Sequence, residues 1–375
     1  MAYNHLHIIS FDVPYPPNYG GAIDVFYKIK ALSENGVKVI LHCFDYRNEH
    51  SEKLNEFCEK VFYYQRTTGF SSLISLLPYT VFSRKNNELI NNLLKDDFPI
   101  LFEGLMSCYY LTDSRLRDRI KFFREANIEH QFYFELAKAT KSIKDRIYFL
   151  MESFKLKLFE KKLKYANFIL AISQKDEQYF KKKFSQKDVI FIPAFHSNNF
   201  VTGESKCSDY IFYHANLAVA ENEKAALYLI KNVFSKLPFE CVIAGREPSV
   251  LLKKVAKTHK NILLVENPTD AEMQNLLQNA KVNVLITFQA TGMKLKLLNS
   301  LFAGKHILVN SKMLAGTGLD ALCHIANDAR EQIDLCHNLI NKPFTEKDIE
   351  FRKEQLFPMF DSSQQAKKII SLFQK

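Results

Sequence analysis

The sequence alternates short apolar runs with longer amphipathic segments, and it does so twice along the chain. Unbroken apolar runs separated by helices are typical of parallel strands buried on both faces. In the first half the predicted strands are His5–Phe11, Val37–Phe44, Lys60–Tyr64, Pro99–Glu103, Lys121–Phe123 and Phe168–Ser173. In the second half they are Asp209–Tyr213, Glu240–Ala244, Asn261–Val265, Lys281–Thr287 and His306–Val309. The pattern predicts an α/β fold with two Rossmann-like, doubly wound domains.

Helices are predicted between these strands wherever apolar residues recur at helical spacing. They cover Ile23–Ser33, Asn86–Leu94, His130–Thr140 and Ile143–Tyr165, then Asn222–Leu237, Val250–Thr258, Asp270–Ala280 and Met293–Ala303. The polar stretch Asn198–Ser208 is the best linker candidate. We therefore expect an N-terminal domain over 1–197 and a C-terminal domain over 198–355. Residues 356–375 are predicted to form a helix. This helix could pack against the C-terminal domain or cross back to the N-terminal domain.

The net charge of +10 favours polyanionic partners, with a lysine-rich solvated surface as the alternative explanation. No helix-turn-helix, zinc-finger or aromatic RNA-binding signature occurs, so nucleic acid is not expected as a partner.

Seven scattered cysteines without a CxxC pair disfavour disulfides and a zinc site and favour a cytoplasmic location. We expect no signal peptide, because no basic start precedes a long apolar run, and no membrane span.

Two stretches carry the chemistry. The loop from Phe11 to Ala22 leaves the first strand, and its pair Gly20-Gly21 allows close backbone approach to a ligand at a helix N-terminus. A rigid turn without a ligand is the alternative, and GxGxxG is absent, so a dinucleotide is not expected. In the second stretch Thr291 is a plausible N-cap that leaves the N–H groups of Gly292, Met293 and Lys294 open to an anion.

The charges of Lys294 and Lys296 make this second helix start a candidate diphosphate site. The alternative is an amphipathic helix with solvated lysines that ends at Gly304. Taken together, the two stretches resemble GT-B glycosyltransferases of the retaining family 4 type (glycosyl transferases group 1). The segments Tyr213–Asn222, Ile243–Arg246 and Asn299–His306 resemble, in the same order, that family's first C-terminal strand, its strand-end glycine and its Glu-Ala-x-Ala-x-Gly-x-Pro run.

The resemblance implies two Rossmann-like domains facing each other across a cleft, with a nucleotide diphosphate sugar as co-substrate and no other cofactor. The donor would contact residues at both stretches: Gly20, Gly21, His214, Asn216, Arg246, Thr291, Gly292, Met293, Lys294, Lys296 and Asn299. The chain departs from the family where two glutamates are usual, since Thr291 and Asn299 stand there. The family's phosphate-binding Arg and Lys correspond to Asn216 and Glu221, so we expect Glu221 to point elsewhere or to cap the following helix.

The candidate catalytic residues lie in the N-terminal domain. The segment Phe123–His130 resembles the family's His-Asn-x-Glu run, with Ala126 in place of the histidine. Its role would then pass to Glu103, Glu129 or His130, although a buried carboxylate at a strand end is more often structural. The implied reaction moves a hexose to an acceptor hydroxyl, with retention of configuration, in glycan or polysaccharide biosynthesis. No Asp-x-Asp occurs, so metal independence is expected.

Two alternatives remain open: a nucleotide-sugar binding protein that has lost transfer activity, and an epimerase or hydrolase of the same fold. The acceptor would be a glycan or a lipid-linked molecule. Phe154–Tyr165 mixes apolar residues with lysines and suggests peripheral contact with an anionic inner-membrane surface. A core-packed helix with a solvated face is the alternative for this segment.

Overall fold

The computed structural model describes residues 3–45, 50–69, 75–140, 142–198, 201, 208–288 and 295–374. The chain divides into two compact units: Met1–Ser197 with Met359–Lys375, and Asn198–Pro358. Each unit is built on one parallel sheet whose strands are connected through helices. This architecture confirms the predicted α/β class with two Rossmann-like domains.

The sheet of the first unit has the strand order β3-β2-β1-β4-β5-β6-β7. Its strands are β1 (His5–Ser10), β2 (Lys38–Asp45), β3 (Cys58–Gln65), β4 (Ile100–Glu103), β5 (Lys121–Arg124), β6 (Phe168–Ala171) and β7 (Asp188–Phe191). The helices among them are α1 (Gly20–Glu34), α2 (Tyr79–Phe82), α3 (Asn87–Leu93), α4 (Glu129–Ala139), α5 (Ile143–Glu160) and α6 (Gln174–Lys183).

The sheet of the second unit has the order β10-β9-β8-β11-β12-β13. Its strands are β8 (Ser208–Asn216), β9 (Glu240–Arg246), β10 (Ile262–Glu266), β11 (Ala280–Leu285), β12 (His306–Val309) and β13 (His324–Ile325). Its helices are α7 (Ala220–Asn232), α8 (Val250–Lys257), α9 (Asp270–Asn279), α10 (Leu295–Ala303), α11 (Ser311–Leu314) and α12 (Ala329–Ile340). Two C-terminal helices follow, α13 (Glu346–Phe360) and α14 (Ser362–Ile370).

Strand β1 shows why the apolar runs are continuous. Leu6 and Ile8 pack in one core cluster that also contains Ile29 of α1, while Ile9 belongs to a second cluster with Phe102. Because successive strand residues point to opposite faces, a sheet covered on both faces needs apolar residues at nearly every position. In the first unit, α14 covers part of one face by packing against α1.

Several element boundaries differ from prediction. The prediction omits β7, β13, α2, α11, α12 and α13. The two strands and the helices α2 and α11 are too short to give a periodic signal. Helix α1 begins at Gly20 rather than Ile23, so the glycine pair forms its first turn. Helix α5 ends at Glu160, and a 3₁₀ turn continues to Tyr165. Among the described helices, none is both long and apolar enough to cross a bilayer.

Candidate functional site

Both sheets have a topological switch point, where the chain first winds one way from a central strand and then the other. It lies between β1 and β4 in the first unit and between β8 and β11 in the second. In open α/β sheets, ligands bind beyond the carboxyl ends of the strands at this point. The predicted site residues follow β1, β4, β5, β8, β9 and β11, so most of them belong to these edges.

In the second unit, His214 lies near the carboxyl end of β8 and is buried. Its Nε2 atom lies 3.1 Å from the Ser300 hydroxyl oxygen on α10. Burial, with a smaller contribution from the nearby Lys296 ammonium, lowers the pKa of His214 to about 3. The imidazole is therefore neutral at physiological pH, and it can both donate and accept a hydrogen bond.

Asn216 and Lys296 meet through Asn222. The Asn222 amide donates to the Asn216 carbonyl at 2.9 Å, and the Lys296 ammonium donates to Asn222 Oδ1 at 3.4 Å. Lys296 also lies 5.6 Å from the centre of the Tyr213 ring. The N-cap of α7, Val219, provides no side-chain cap to the first turn of the helix. The structure thus brings together three of the residues predicted to bind the nucleotide-sugar donor: His214, Asn216 and Lys296.

Glu221 lies in the first turn of α7, where a negative side chain suits the helix dipole. Its carboxylate accepts a hydrogen bond from the hydroxyl of Thr287, which follows β11. Glu221 stands where the resemblance places a phosphate-binding lysine. Its carboxylate is directed across the switch point to Thr287.

Arg246 and Asn299 are placed differently from the group around Lys296. Arg246 ends β9 beside Asn216 in the sheet register, but its exposed guanidinium lies 3.9 Å from the Asp270 carboxylate. Asn299 lies on α10, where its Oδ1 accepts a hydrogen bond from the Asn198 amide at 2.9 Å. The predicted residues Thr291, Gly292, Met293 and Lys294 lie outside the described part of the chain.

In the first unit, Gly20 and Gly21 open α1, whose N-cap Tyr19 provides no side-chain cap. The Tyr19 hydroxyl instead donates to Asp12 at 2.8 Å. A Cβ atom on Gly21 would lie 2.7 Å from the Phe11 ring, so a larger residue here would require that ring to shift. Gly21 therefore has a packing reason as well as the predicted ligand role.

Glu103 belongs to a buried ion-pair cluster. Lys28 donates to both of its carboxylate oxygens, at 2.7 and 2.8 Å, and to Asp24 at 3.0 Å. Arg124 pairs with the other side of Asp24 at 3.1 Å. Burial raises the pKa of Glu103 although Lys28 opposes the shift. With both oxygens bonded to a buried lysine, Glu103 has the surroundings of a structural residue.

Glu129 has a different environment, although it is also buried. It is the first residue of α4, and its Oε1 atom has no hydrogen-bond partner among the described residues. Burial raises the pKa of Glu129 to about 7, against the opposing charge of Arg84. Arg84 is itself buried and donates to the carbonyl groups of Phe11 and Thr80. Of the three catalytic candidates, Glu129 is the one with a buried carboxyl oxygen that has no hydrogen-bond partner among the residues that the structure describes.

His130 follows Glu129 on α4 but makes a separate set of contacts. Its Nδ1 atom lies 3.2 Å from Glu160 at the end of α5. Glu160 also accepts hydrogen bonds from Tyr179 and Lys183 on α6. The ring is thus engaged with the α5 and α6 side chains.

Sequence reasoning missed two charged residues at this edge. Arg84 lies in no recognisable motif, and it reaches Phe11 from 73 positions away. Glu125 follows β5, accepts a hydrogen bond from the Ile172 amide at 3.0 Å and keeps a buried oxygen without a partner among the described residues. Burial raises the pKa of Glu125 well above its ordinary value, and Asp176 adds to the shift. For Glu125, the position directly after β5 was a signal in the sequence, whereas Arg84 follows α2 and had no such signal.

The chain was compared in sequence with known proteins and protein families. No protein-family model matches the chain. A protein of Klebsiella pneumoniae described as an uncharacterized 44.6 kDa protein in the cps region is 26% identical over 387 residues, which cover 97% of each chain.

Solved structures match over nearly the whole chain. A glycosyltransferase from Rickettsia africae has a TM-score of 0.67 and 12% identity, covering 99% of this chain and 98% of its own. Anabaena HepE in complex with UDP and glucose has a TM-score of 0.64 and 11% identity, covering 98% of each chain. An α,α-trehalose-phosphate synthase from Burkholderia xenovorans has a TM-score of 0.61 and 10% identity, covering 99% of this chain and 100% of its own. The fold is GT-B, as predicted, while membership of family 4 stays a prediction.

Proposed function

We propose that this protein is a glycosyltransferase that moves a sugar from a nucleotide diphosphate sugar to an acceptor hydroxyl. The observation that carries the proposal is the grouping of His214, Asn216 and Lys296 at the switch point of the second sheet. The likeness in fold to Anabaena HepE, whose structure contains UDP and glucose, supports the same reading.

The donor would bind at the second unit. Lys296 and the start of α7 supply positive charge for the diphosphate, since helix N-termini favour anions. The neutral His214 would hydrogen-bond the sugar or a phosphate oxygen, and Asn299 would reach ribose hydroxyls. These groups stabilise the departing diphosphate in place of a metal ion. The predicted contacts of Arg246, Thr291, Gly292, Met293 and Lys294 remain part of this proposal.

The acceptor would bind at the first unit, where Glu129 would be the catalytic residue. In the reaction the bond from the anomeric carbon to the diphosphate breaks and a bond to the acceptor oxygen forms. The proton of the acceptor hydroxyl passes to Glu129 Oε1, and a pKa of about 7 suits a group that must exchange protons near neutral pH. The resemblance to family 4 implies retention of configuration, which requires the acceptor oxygen to attack from the face that the diphosphate leaves, and NMR of the product anomer tests it.

The acceptor is proposed to be a glycan in polysaccharide biosynthesis. The support is the relative from Klebsiella pneumoniae, which is 26% identical over nearly its whole length and is described by its position in a cps region.

A thermal-shift screen of UDP-, GDP- and dTDP-sugars tests the donor site. A donor at about 100 times its dissociation constant should stabilise the protein by roughly 2.7 kcal/mol. Lys296→Gln should weaken the shift, while Lys254→Gln, on the exposed face of α8, should leave it unchanged. Absence of stabilisation by every nucleotide sugar would overturn the proposal.

Product analysis then separates the alternatives. A transferase releases nucleotide diphosphate faster when an acceptor glycan is present and forms a new glycoside. A hydrolase or epimerase acts on the donor without an acceptor, and a binding protein releases no nucleotide. Either of the last two results would replace the transferase assignment while keeping the donor site.

A further inference from the structure

Helix α5 in the first unit has apolar side chains on two opposite faces. One face is buried and includes Leu156 and Phe159. The other consists of Ile143, Ile147, Leu150, Met151, Phe154 and Leu158, here called the α5 stripe, and all six are exposed, Ile143 by 74% and Phe154 by 63%. At 3.6 residues per turn, these positions form a continuous stripe roughly 100° wide, opposite the buried face.

The α5 stripe corrects the sequence-based interpretation of this region. That interpretation placed the amphipathic surface at Phe154–Tyr165, but Leu156, Phe159 and Leu163 within it are buried. The exposed apolar residues begin earlier, at Ile143. Single exposed apolar residues are normal on protein surfaces, whereas a continuous stripe of six indicates a binding surface.

Lysines border the α5 stripe. Lys144, Lys157 and Lys161 are exposed beside it, and Lys155 lies at its edge. A groove of about 230 Å³ lies at the same edge, lined by Tyr79, Ile147, Tyr148 and Met151 together with Lys144, Lys155 and Glu152. Of the three acidic residues of α5, Glu152 and Glu160 are buried, and Asp145 is exposed in the first turn, on the side of the helix away from the α5 stripe. The surface therefore combines apolar area with positive charge at its border.

We propose that the α5 stripe docks this protein onto the surface of an anionic lipid bilayer. A helix with this pattern lies in the interface plane, with its apolar face among the acyl chains and its lysines at the headgroups. Two copies of the stripe facing each other would bring like charges together, which disfavours self-association. The proposal is independent of the glycosyltransferase assignment, since it rests on residues outside the donor and acceptor edges.

Flotation with vesicles tests the proposal on the full chain. Wild type should float with phosphatidylcholine vesicles that contain about one third phosphatidylglycerol and stay unbound with pure phosphatidylcholine. Each lysine near an anionic surface contributes about 1 kcal/mol, or roughly a factor of five, so Lys144→Gln/Lys157→Gln/Lys161→Gln should weaken partitioning roughly a hundredfold. The matched control is Lys254→Gln/Lys257→Gln/Lys260→Gln, which removes three exposed lysines from the second unit. Both triple variants therefore have the same net charge. It should reduce partitioning far less.

The apolar contribution is tested with Ile143→Ser/Ile147→Ser/Phe154→Ser, which should abolish flotation. Its control, Val250→Ser/Leu251→Ser/Leu263→Ser, removes exposed apolar residues elsewhere and should float like wild type. Equal circular dichroism spectra and equal thermal shifts with a nucleotide sugar show that the variants are folded. Flotation of the stripe variant equal to that of wild type would overturn the proposal. So would a wild-type dimer that the stripe variant converts to a monomer, because the occupant would then be a second copy.

Discussion

Lys28 donates hydrogen bonds to both carboxylate oxygens of Glu103, and each of the two side chains is at most 2% exposed. A charge pair that is removed from water depends on its partner, since removal of one member leaves the other charge buried and uncompensated. The same lysine bonds to Asp24, which pairs with Arg124. The four groups connect α1 with the ends of β4 and β5, so the cluster stabilises the edge on which the proposed acceptor site is built.

Lys28→Met should therefore destabilise the protein by about 3–5 kcal/mol, the range for breaking a buried ion pair. Lys28→Met/Glu103→Leu removes both charges and should recover part of that loss. Urea unfolding followed by circular dichroism measures both. A loss below about 1 kcal/mol in the single variant would contradict the structural role of the pair.

Glu129→Gln should separate activity from stability. If Glu129 accepts the acceptor proton, the variant should lose about 10²–10⁴-fold in the transfer rate, and the wild-type rate should rise with pH through about 7, where the carboxylate forms. The control Glu135→Gln changes an exposed carboxyl on the same helix and should keep wild-type activity. Unchanged activity in Glu129→Gln would exclude the proposed role.

The same variant, Glu129→Gln, should lose activity but gain stability. Because the pKa of Glu129 is raised on folding, the folded state binds a proton that the unfolded state has released between the unfolded pKa and about 7. Ionisation of Glu129 therefore destabilises the fold progressively as pH rises through that window. Glu129→Gln should be more stable than wild type at pH 8, by at most about 3 kcal/mol, and unfolding curves at pH 5 and pH 8 measure the difference.

A buried histidine pair should make the first unit sensitive to acid. His7 Nδ1 lies 2.8 Å from His42 Nε2, and this contact needs one ring nitrogen with a proton and one without. Burial lowers the pKa of both rings, that of His42 the more strongly. The unfolded chain takes up protons first as pH falls below about 6.5, so stability is present above this value and is lost below it.

The unfolding free energy should therefore fall between pH 7 and pH 5, and His42→Gln should reduce the slope by up to about 1.4 kcal/mol per pH unit. Denaturant unfolding at a series of pH values provides the slope. His337→Gln, at an exposed position of α12, serves as the control and should leave the slope unchanged. An equal slope in wild type and His42→Gln would show that other groups dominate the acid response.

The sequence was sufficient to predict the two sheets and the strand ends at which the candidate site residues lie, because apolar runs and their order determine both. It could not distinguish the three catalytic candidates. Glu103 is bonded to Lys28 from 75 positions away, and His130 is engaged by Glu160 from 30 positions away. These partners depend on tertiary packing and leave no local pattern. The α5 stripe illustrates the same limit, since periodicity reveals apolar positions but not which of them the rest of the fold covers.

Gly245 supplies a final prediction, for the donor edge. A Cβ atom at this position would lie 2.0 Å from the Ala215 carbonyl oxygen, and a main-chain atom cannot move aside as a side chain does. Gly245→Ala should separate the ends of β8 and β9, where Asn216 and Arg246 are paired in register. We expect a stability loss of about 3 kcal/mol, at the upper end of overpacking effects, together with loss of the nucleotide-sugar thermal shift.

The comparison variant is Gly36→Ala, at a glycine whose φ of +87° has open space around it. Its effect is backbone strain alone, about 1–2 kcal/mol, and it should keep the nucleotide-sugar response because it lies in the first unit. Thermal unfolding with and without the best donor from the screen compares the two variants. If Gly245→Ala keeps the full thermal shift with the nucleotide sugar, the ends of β8 and β9 do not shape the donor site. Asn216 would then no longer count among the proposed donor-binding residues.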